Sequence, residues 1–561
     1  MERLFRLVVS LSRIFAGASA LFLAASTAHA AATDITISMT AAPATPRLLG
    51  SAVVGIVTGT PFLYTVPASG TRPMTFAATN LPAGLSLDST TGRITGMLAT
   101  AGRYDVTIGV TNASGSDAKV VTLAAGTTLT VTPPMGWNSY DSFDDSVTET
   151  DFTAQAQWLV DHLQPFGWEY VVVDYRWYDP TAPASDQNQA GINNSLVVDA
   201  NGRFQPDPVR FPSAAGNMGF ASLAARVHAL GLKFGIHIMR GIPRRSVQAN
   251  TPIAGSTFTA ANAANAADTA TWNSDMYGVL GDTAAGQAWY DSIVAQYAAW
   301  GVDFIKADDM IRNVAPISYH QSEVDALKRA IDKSGRSIVL SLSPGEMQPA
   351  NAGDLVANAN MWRMSNDFWD RPADLDHIFA LAGTWQGVAS PGHWPDADML
   401  PLGHLGPRCP VDGADRDTRF THNEQVTMLS FWSLLPSPLM LGANMPLMDA
   451  WTTALLTNEE VLAVGHDALG QRARVTGTQG TQETWAKTLW AAVKRSAFSI
   501  TAPQTWRCRS PGPRLASPAR SAFATCGDGA TCRSPTARSA PTCPSAAGFS
   551  SFSRRTRLTP A

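Results

Sequence analysis

The alternation of apolar and polar residues divides the chain into two regions with different periods. Between residues 31 and 126, short segments such as 104–110 and 120–123 alternate apolar and polar residues, which is typical of β-strands. Turn sequences at 91–93 and 112–115 separate these segments at regular intervals. A series of short strands at this spacing predicts a small all-β sandwich, which we place at residues 31–128.

After residue 130, short apolar segments alternate with helical patterns, which is typical of an α/β fold. The predicted strands are 132–138, 169–174, 233–239, 303–307, 337–341, 361–365, a weak one near 384–388, and 438–441. The predicted helices are 150–162, 220–230, 283–300, 322–333, 372–382 and 423–435. Eight such pairs predict a closed (β/α)8 TIM barrel at residues 129–470. No glycine-rich phosphate loop follows the first strand, so no dinucleotide cofactor is expected.

The first thirty residues have the layout of a cleaved secretory signal. Arg3, Arg6 and Arg13 precede an apolar run at residues 14–25, and a small-residue cleavage site follows at 28–30. The run is too short to span a bilayer as a permanent helix, and no later segment reaches the necessary length. We therefore expect a protein that has no membrane span and is secreted or periplasmic.

The end of the chain differs in composition from everything before it. Residues 471–489 look like the first strands of a C-terminal β domain, but from residue 490 the sequence is rich in Arg, Ser, Pro and Cys. This segment has no strand alternation and one acidic residue, Asp528. We expect residues 490–561 to be a disordered tail or the product of a shifted reading frame, which would leave the C-terminal β domain incomplete.

Charge argues against a nucleic-acid partner, and cysteine content argues against an internal disulfide in the body of the chain. The formal net charge is −4, but the segment from residue 494 carries about +10 and residues 1–30 about +2, which leaves about −16 on the rest. An acidic body repels phosphate backbones, so no nucleic-acid partner is expected. Of the five cysteines only Cys409 lies in the body, which therefore holds no internal disulfide and depends on its core.

Candidate chemistry lies at the ends of the predicted strands. The segment 303–307 contains Lys306 and leads into Asp308 and Asp309, and strand alternation places Lys306 and Asp308 on the same face. The carboxyl end of barrel strands is where catalytic groups lie, so Asp308 is the candidate reactive group. A solvated strand end with a surface Lys/Asp pair is the alternative, and the motif in isolation does not separate the two.

Other strand ends supply further polar groups. They are Asp174 with Tyr175, His237 with Arg240, Ser341 with Ser343, Arg363 with Asp367, and Asp396 with Asp398. Two carboxyl groups across a barrel mouth, with an Arg and a Lys to hold hydroxyls, are what a retaining glycoside hydrolase needs. Many barrel enzymes arrange carboxylates around a metal instead, but nothing in this set requires a metal.

Six motifs in order resemble those of glycoside hydrolase family 27, whose best-known members are α-galactosidases. They are 132–140, 173–177, 231–237, 306–308, 363–367 and 392–400, and the match covers about residues 130–490. The resemblance implies a retaining mechanism on an oligo- or polysaccharide, with Asp308 as nucleophile and Asp367 as acid/base. It also implies sugar-binding roles for Tyr140, Asp174, Lys306, Arg363 and Asp398, although Asp396 and Asp398 are equally well explained as loop-capping carboxylates.

Several positions depart from the family pattern. Tyr175 stands where the family α-galactosidases have a second Asp, and His237 stands where a Tyr is common. Ser343 begins a stretch that replaces a Glu or Ser specific for the 2-substituent of the sugar. Met310 stands where one of a pair of cysteines is usual, and a long insert at 241–281 is expected to add walls to the site. Isomalto-dextran or β-L-arabinopyranoside therefore remain alternatives to α-galactoside, as does a non-catalytic carbohydrate-binding protein.

The N-terminal sandwich also resembles a known type of module. Residues 80–96 are similar to the immunoglobulin-like modules that accompany secreted bacterial enzymes. This resemblance implies a spacer or a carbohydrate-proximal adhesion role, and we favour a spacer.

Overall fold

The structure is a computed structural model. It describes residues 37, 43–182, 191–270, 272–312, 318–409, 412–413, 415–479 and 482–490, and the backbone of short strands at 497–503, 508–509, 523–524 and 552–555. The predicted signal segment at residues 1–30 lies outside the described residues, as does most of the predicted tail.

The first part of the chain is an all-β module. Its strands are β1 (Arg47–Leu48), β2 (Val53–Val57), β3 (Pro61–Thr65), β4 (Ala68–Ser69), β5 (Thr75–Thr79), β6 (Leu85–Leu87), β7 (Arg93–Met97), β8 (Gly102–Asn112) and β9 (Gly115–Gly126). One sheet has the order β2-β9-β8-β5 and another β3-β7-β6. Alternate residues of the β8–β9 hairpin, such as Val106 and Val121, are buried in one apolar cluster with Tyr64 and Ile94 of the second sheet. The predicted sandwich is confirmed.

The second part contains eight barrel strands, with short strands in the loops between them. In chain order the strands are β10 (Met135–Asn138), β11 (Tyr170–Val173), β12 (Lys233–Met239), β13 (Ile242–Pro243), β14 (Ala264–Asn265), β15 (Met276–Val279), β16 (Phe304–Asp308), β17 (Ile311–Arg312), β18 (Ser318–Tyr319), β19 (Val339–Leu342), β20 (Met361–Arg363), β21 (Trp394–Asp396), β22 (His404–Leu405), β23 (Arg416–Asp417) and β24 (Leu439–Leu441). The parallel sheet has the order β24-β10-β11-β12-β16-β19-β20-β21, and a parallel bridge between Leu400 and Leu441 joins its two edges. The predicted TIM barrel is confirmed.

Helices connect the barrel strands and bury their apolar faces against the sheet. They are α1 (Tyr140–Phe143), α2 (Glu149–His162), α3 (Ala221–Ala229), α4 (Arg244–Gln248), α5 (Ala260–Ala263), α6 (Ala284–Trp300), α7 (Gln321–Lys333), α8 (Ala352–Asn358), α9 (Pro372–Thr384), α10 (His422–Leu434), α11 (Ala450–Leu456) and α12 (Glu459–Gly465). Local signals set their ends: α2 begins with a capping box between Thr148 and Asp151, and α6 ends at Gly301 in the left-handed conformation. Within the described residues, none of these helices is long and apolar enough to cross a bilayer.

The prediction for the seventh barrel strand is wrong. Residues 384–388 end α9 and form a turn, in which Trp385 packs against Trp362 with ring centroids 5.9 Å apart. The strand is Trp394–Asp396 instead. It has three residues, and its central Pro395 has no N–H to donate to a neighbouring strand, so it carries little of the pattern by which strands are recognised.

Strand alternation separates the barrel interior from the layer of helices. Tyr170, Phe304, Met361 and Trp394 belong to one buried cluster inside the barrel, whereas Ile305 and its equivalents pack outward with the helices. Lys306 and Asp308 follow Phe304 at intervals of two, so both point into the barrel at its carboxyl end.

The all-β module covers the opposite, amino end of the barrel. Thr60 Oγ1 lies 2.6 Å from Ser337 Oγ, and Thr65 Oγ1 donates a hydrogen bond to the Gly231 carbonyl at 2.8 Å. Ser337 and Gly231 come just before β19 and β12, at the ends of the strands that are remote from Asp308. The module therefore leaves the carboxyl end open.

An antiparallel pair, β25 (Arg474–Gln479) and β26 (Gln482–Thr488), follows the barrel, as predicted. Within the segment predicted as a tail, β27 (Ala497–Pro503) pairs with β26 and with β30 (Phe552–Arg555), and β28 (Cys508–Arg509) pairs with β29 (Phe523–Ala524). The backbone of β27 thus continues the sheet beyond β26. The expectation of a disordered or frame-shifted tail stays a prediction.

We expect the β26 strand to stabilise the barrel through Trp485, which is 1% exposed and packs edge-on against Phe431 of α10 at 5.2 Å. Trp485→Ala should lower the free energy of unfolding by about 3–5 kcal/mol, because it leaves a large cavity. Urea unfolding measures the change. Trp490→Ala, at a side chain that is 53% exposed, is the control and should change stability by less than about 0.5 kcal/mol. Equal effects of the two would contradict the packing role.

Candidate active site

Asp308 is the last residue of β16, and its carboxyl group lies in the barrel mouth. Its Oδ2 lies 2.9 Å from His237 Nε2, and its Oδ1 accepts a hydrogen bond from the backbone N–H of Asp309 at 2.9 Å. Burial raises the pKa of Asp308, but the hydrogen bond from His237 and the charges of His237 and Lys306 outweigh it and hold the pKa below its usual range. Asp308 is thus an ionised carboxylate that accepts one hydrogen bond on each oxygen.

A partly buried ion pair lies beside this carboxylate. Asp174, directly after β11, accepts hydrogen bonds on Oδ2 from Lys306 Nζ at 3.0 Å and from Asn138 Nδ2 at 2.6 Å. Burial raises the pKa of Asp174, but the charge of Lys306 is the main opposing effect and the net pKa falls to about 2. Lys306 Nζ also lies 5.5 Å from the centre of the half-buried Tyr140 ring. Asp174, Lys306 and Tyr140 thus place a hydrogen-bond acceptor, a donor and an aromatic face close together.

A second charged group lies at the end of β20, two strands along the sheet from β16. Arg363 Nη2 lies 2.7 Å from Asp398 Oδ2 and 3.3 Å from Asp367 Oδ1. The Asp367 side chain is 65% exposed, so a bound molecule can reach its carboxyl group. Asp398 is buried, and its Oδ2 also accepts the backbone N–H of Phe368 at 2.7 Å. Asp398 therefore holds both Arg363 and the loop that carries Asp367.

Asp396 and Ser343 support the site from behind. Asp396 Oδ1 accepts the backbone N–H of Asp398 at 2.9 Å, which is the loop-capping contact expected of it. Burial and the charge of Asp398 raise the pKa of Asp396 to about 7. Ser343 follows β19, its N–H donates to the Ala307 carbonyl at 2.9 Å, and its hydroxyl is buried beside β16.

The residues that depart from the family pattern form an aromatic wall. The ring of Tyr175 lies edge-on to His237 at 5.4 Å and tilted against Trp272 at 5.7 Å. Asn273 Nδ2 donates a hydrogen bond to the Tyr175 hydroxyl oxygen at 2.5 Å. Trp272 and Asn273 belong to the insert at 241–281, so the insert contributes to this wall of the site.

Two residues of the site were missed from the sequence. Asn138 ends β10 and lies within the first motif, so its place at a barrel strand end was a usable signal. Asn273 lies in an insert without periodicity, and only the fold brings it to Tyr175.

Three neighbouring side chains place atoms of the kind that bind metal ions close to one another. Single atoms of Asp268, His320 and Glu323 lie within 4.8 Å of one another. However, Arg240 Nη1 lies 2.9 Å from Asp268 Oδ2 and 2.6 Å from Glu323 Oε1. The guanidinium already compensates these carboxylates, so the group fits a metal ion poorly. The expectation of a reaction without a metal stays a prediction.

Comparisons with known proteins agree with this architecture. The Melibiase_2 family model, described as alpha galactosidase A, matches residues 283–467, and the He_PIG family of Ig domains matches residues 45–132. An α-galactosidase of Coffea arabica is 30% identical over 375 residues, covering 66% of this chain and 79% of that protein. Alpha-galactosidase 2 of Arabidopsis thaliana is 28% identical over 362 residues, covering 64% and 72%.

A solved structure is more similar in sequence. The GH27 β-L-arabinopyranosidase of Geobacillus stearothermophilus is 45% identical, covers 68% of this chain and 85% of its own, and superposes with a TM-score of 0.63. Fold and relatives together define a glycoside hydrolase built on a TIM barrel. The chain belongs to glycoside hydrolase family 27, with an Ig-like module before the catalytic barrel.

We expect the Asp174–Lys306 pair to stabilise the fold in a pH-dependent way. A pKa lowered from 3.8 to about 2 stabilises the folded state above pH 4, and this contribution is lost as the pH falls through 2. At about 1.4 kcal/mol per pKa unit, Asp174→Asn should cost at least about 2 kcal/mol at pH 6. Urea unfolding between pH 6 and pH 2 should show the difference from the parent shrink. Asp161→Asn, on the exposed side of α2, is the control, and a difference that persists at pH 2 would contradict the ion-pair origin.

Proposed function

We propose that this glycoside hydrolase cleaves its substrate by double displacement, with Asp308 as nucleophile and Asp367 as acid/base. The observation that carries the proposal is the environment of Asp308. Its carboxylate lies at the end of a barrel strand, is kept ionised by His237 and Lys306, and accepts one hydrogen bond on each oxygen. Lone pairs remain on both oxygens, so one can attack an anomeric carbon while the other stays bound.

The exposed Asp367 suits the opposite role. In the first step its protonated form gives a proton to the leaving oxygen, and in the second its carboxylate takes a proton from the water that attacks the glycosyl-enzyme ester. Arg363 lies 3.3 Å from Asp367 and 2.7 Å from Asp398, so it orients the acid/base while most of its charge is compensated by the buried carboxylate.

The ion pair beside the nucleophile is suited to holding the sugar. Asp174 can accept from ring hydroxyls and Lys306 can donate to them, and both are fixed by each other and by Asn138. The Tyr140 ring next to Lys306 offers an apolar face to the C–H side of a pyranose. We propose Tyr175, His237 and Ser343 as the remaining parts of the pocket, with Asp398 acting through Arg363.

The substrate class that we propose is a terminal α-D-galactopyranoside or its pentose equivalent. α-D-Galactopyranose and β-L-arabinopyranose share the configuration of their ring hydroxyls and differ in the hydroxymethyl group on C5. Relatives named α-galactosidase support the first substrate.

Two observations favour the pentoside as the better substrate. The 45% identity is to a β-L-arabinopyranosidase. In addition, the bulky Tyr175, bound by Asn273 and packed on Trp272, stands in place of a carboxylate that could accept from a hydroxymethyl group.

We also propose export and a supporting role for the Ig-like module. The basic, apolar and small-residue order of residues 1–30 supports a cleaved signal, and hence a secreted or periplasmic enzyme. The contacts of the module at the amino end of the barrel support a spacer that leaves the active-site end free. We propose that the boundaries between the signal, the Ig-like module, the barrel, the start of the C-terminal β domain and the tail lie at residues 30, 128, 470 and 489.

Asp308→Asn should reduce hydrolysis of 4-nitrophenyl glycosides to background, because an amide cannot attack the anomeric carbon. Asp367→Asn should lower kcat/KM by about 10²–10⁴-fold for an alkyl leaving group and much less for a 2,4-dinitrophenyl group, which leaves without a proton. Steady-state kinetics on both leaving groups measures this. Binding without turnover in the parent protein would instead support a carbohydrate-binding protein.

The parent enzyme should hydrolyse 4-nitrophenyl β-L-arabinopyranoside with a kcat/KM about tenfold or more above that for the α-D-galactoside, because Tyr175 takes the place of the carboxylate that could accept from the hydroxymethyl group. Asp308→Asn serves as the blank for both substrates. A preference for the galactoside would assign the enzyme to the α-galactosidases, and turnover of isomaltosyl substrates alone would contradict both assignments.

A further inference from the structure

A buried arginine, Arg240, is hydrogen-bonded to Asp308 at the end of β16 and to Asp309, the residue after it. Arg240 directly follows β12, and its backbone N–H donates to the Asp308 carbonyl at 2.9 Å. Its Nε donates to the Asp309 carbonyl at 3.0 Å, and its Nη2 donates to Asp309 Oδ2 at 2.9 Å. One side chain thus holds both the backbone and the carboxylate of the residue after Asp308.

The other side of the guanidinium is anchored by two more carboxylates. Nη1 donates to Asp268 Oδ2 at 2.9 Å and to Glu323 Oε1 at 2.6 Å, and Nη2 donates to Asp268 Oδ1 at 3.2 Å. Glu323, on α7, is itself fixed by the hydroxyl of Tyr290 at 2.7 Å. All five N–H donors of Arg240 are used, so the guanidinium has a single orientation.

Asp309 passes this constraint to the carboxyl group of Asp308. Its backbone has φ +61°, a left-handed conformation that is unfavourable for a non-glycine residue and persists only where neighbours impose it. In this conformation its N–H donates to Asp308 Oδ1 at 2.9 Å. The insert adds a third support, because Trp272 Nε1 donates to Asp309 Oδ1 at 3.2 Å.

We propose that Arg240 and Asp309 are positioning residues that set the rotation of the Asp308 carboxylate. The proposal rests on the proposed role of Asp308 as nucleophile. His237 fixes one oxygen directly, and the Arg240–Asp309 contact fixes the other through the Asp309 N–H. The body has a single cysteine, Cys409, and so no disulfide that could hold this loop, and the arginine supplies a non-covalent tie in its place. Without it, Asp309 can relax to an ordinary backbone conformation and turn its N–H away.

Arg240→Lys should test this, since a lysine keeps the charge but cannot donate to the Asp309 carbonyl and carboxylate together. We expect kcat to fall by about 10²-fold with KM little changed, because a nucleophile displaced by about 1 Å loses that much while Asp174 and Lys306 are untouched. Asp309→Asn keeps the shape of the side chain and the backbone contact with Arg240, and its kcat should fall by about tenfold. Arg210→Lys is the matched control, because Arg210 is as buried but binds the carbonyls of Val147, Arg176 and Asp179.

The second measurement separates positioning from stability. A 2-deoxy-2-fluoroglycosyl fluoride of the better substrate sugar labels the nucleophile, and intact mass follows the rate. Labelling should slow in Arg240→Lys in proportion to kcat and remain at the parent rate in Arg210→Lys, even if both variants lose similar thermal stability.

Folded Arg240→Lys and Asp309→Asn proteins with kcat and labelling within twofold of the parent would overturn the inference. An equal loss in Arg210→Lys would do the same. If Arg240→Lys does not fold, Asp309→Asn decides. If Asp308→Asn retains turnover, the proposed function itself fails, which is a different result from unchanged kinetics in the positioning variants.

Discussion

Charge buried at the open end of the barrel is the constraint on which the rest of the structure depends. Asp174, Asp308 and Arg363 are buried at strand ends, and the side chain of Lys306 beside them is 15% exposed. An isolated charge in such a place is very costly, so each must have partners at hydrogen-bond distance. These partners come from other strands of the barrel. Lys306 of β16, for example, donates a hydrogen bond to Asp174, which follows β11. The groups that we propose to be reactive are therefore held by the same contacts that make their burial tolerable.

This arrangement needs a rigid apolar base. The interior cluster that includes Tyr170, Phe304, Met361 and Trp394 fills the barrel below the charged layer, and the outward-facing residues pack with the helices. Because such a core is close-packed, a strand end cannot shift without disturbing several others. The Ig-like module and the β26 strand add contacts at the amino end and on the outer face, away from the mouth. Stabilising contacts and the proposed chemistry thus lie at opposite ends of the same strands.

Much of the site could be predicted because its residues lie at the ends of strongly patterned strands. Asp174, His237, Lys306, Asp308 and Arg363 each follow or end an apolar run, and alternation alone gives the side on which they lie. The seventh strand could not be placed correctly, since three residues with a central proline carry almost no period. Asn273 could not be predicted either, because its contact with Tyr175 joins residues about a hundred positions apart through an irregular insert.

The sequence by itself determined the order of strands and helices, the sandwich before them, and the polar residues that reach the carboxyl end of the barrel. These are local properties, decided by side-chain periodicity and by residues close in the chain. Only the tertiary structure decided which charges meet: that Arg240 grips Asp309, that Arg363 is shared by Asp367 and Asp398, and that Tyr175 is held by an insert. Pairings of this kind depend on the closure of the barrel, which brings distant strand ends within a few ångströms, and no local pattern encodes that closure.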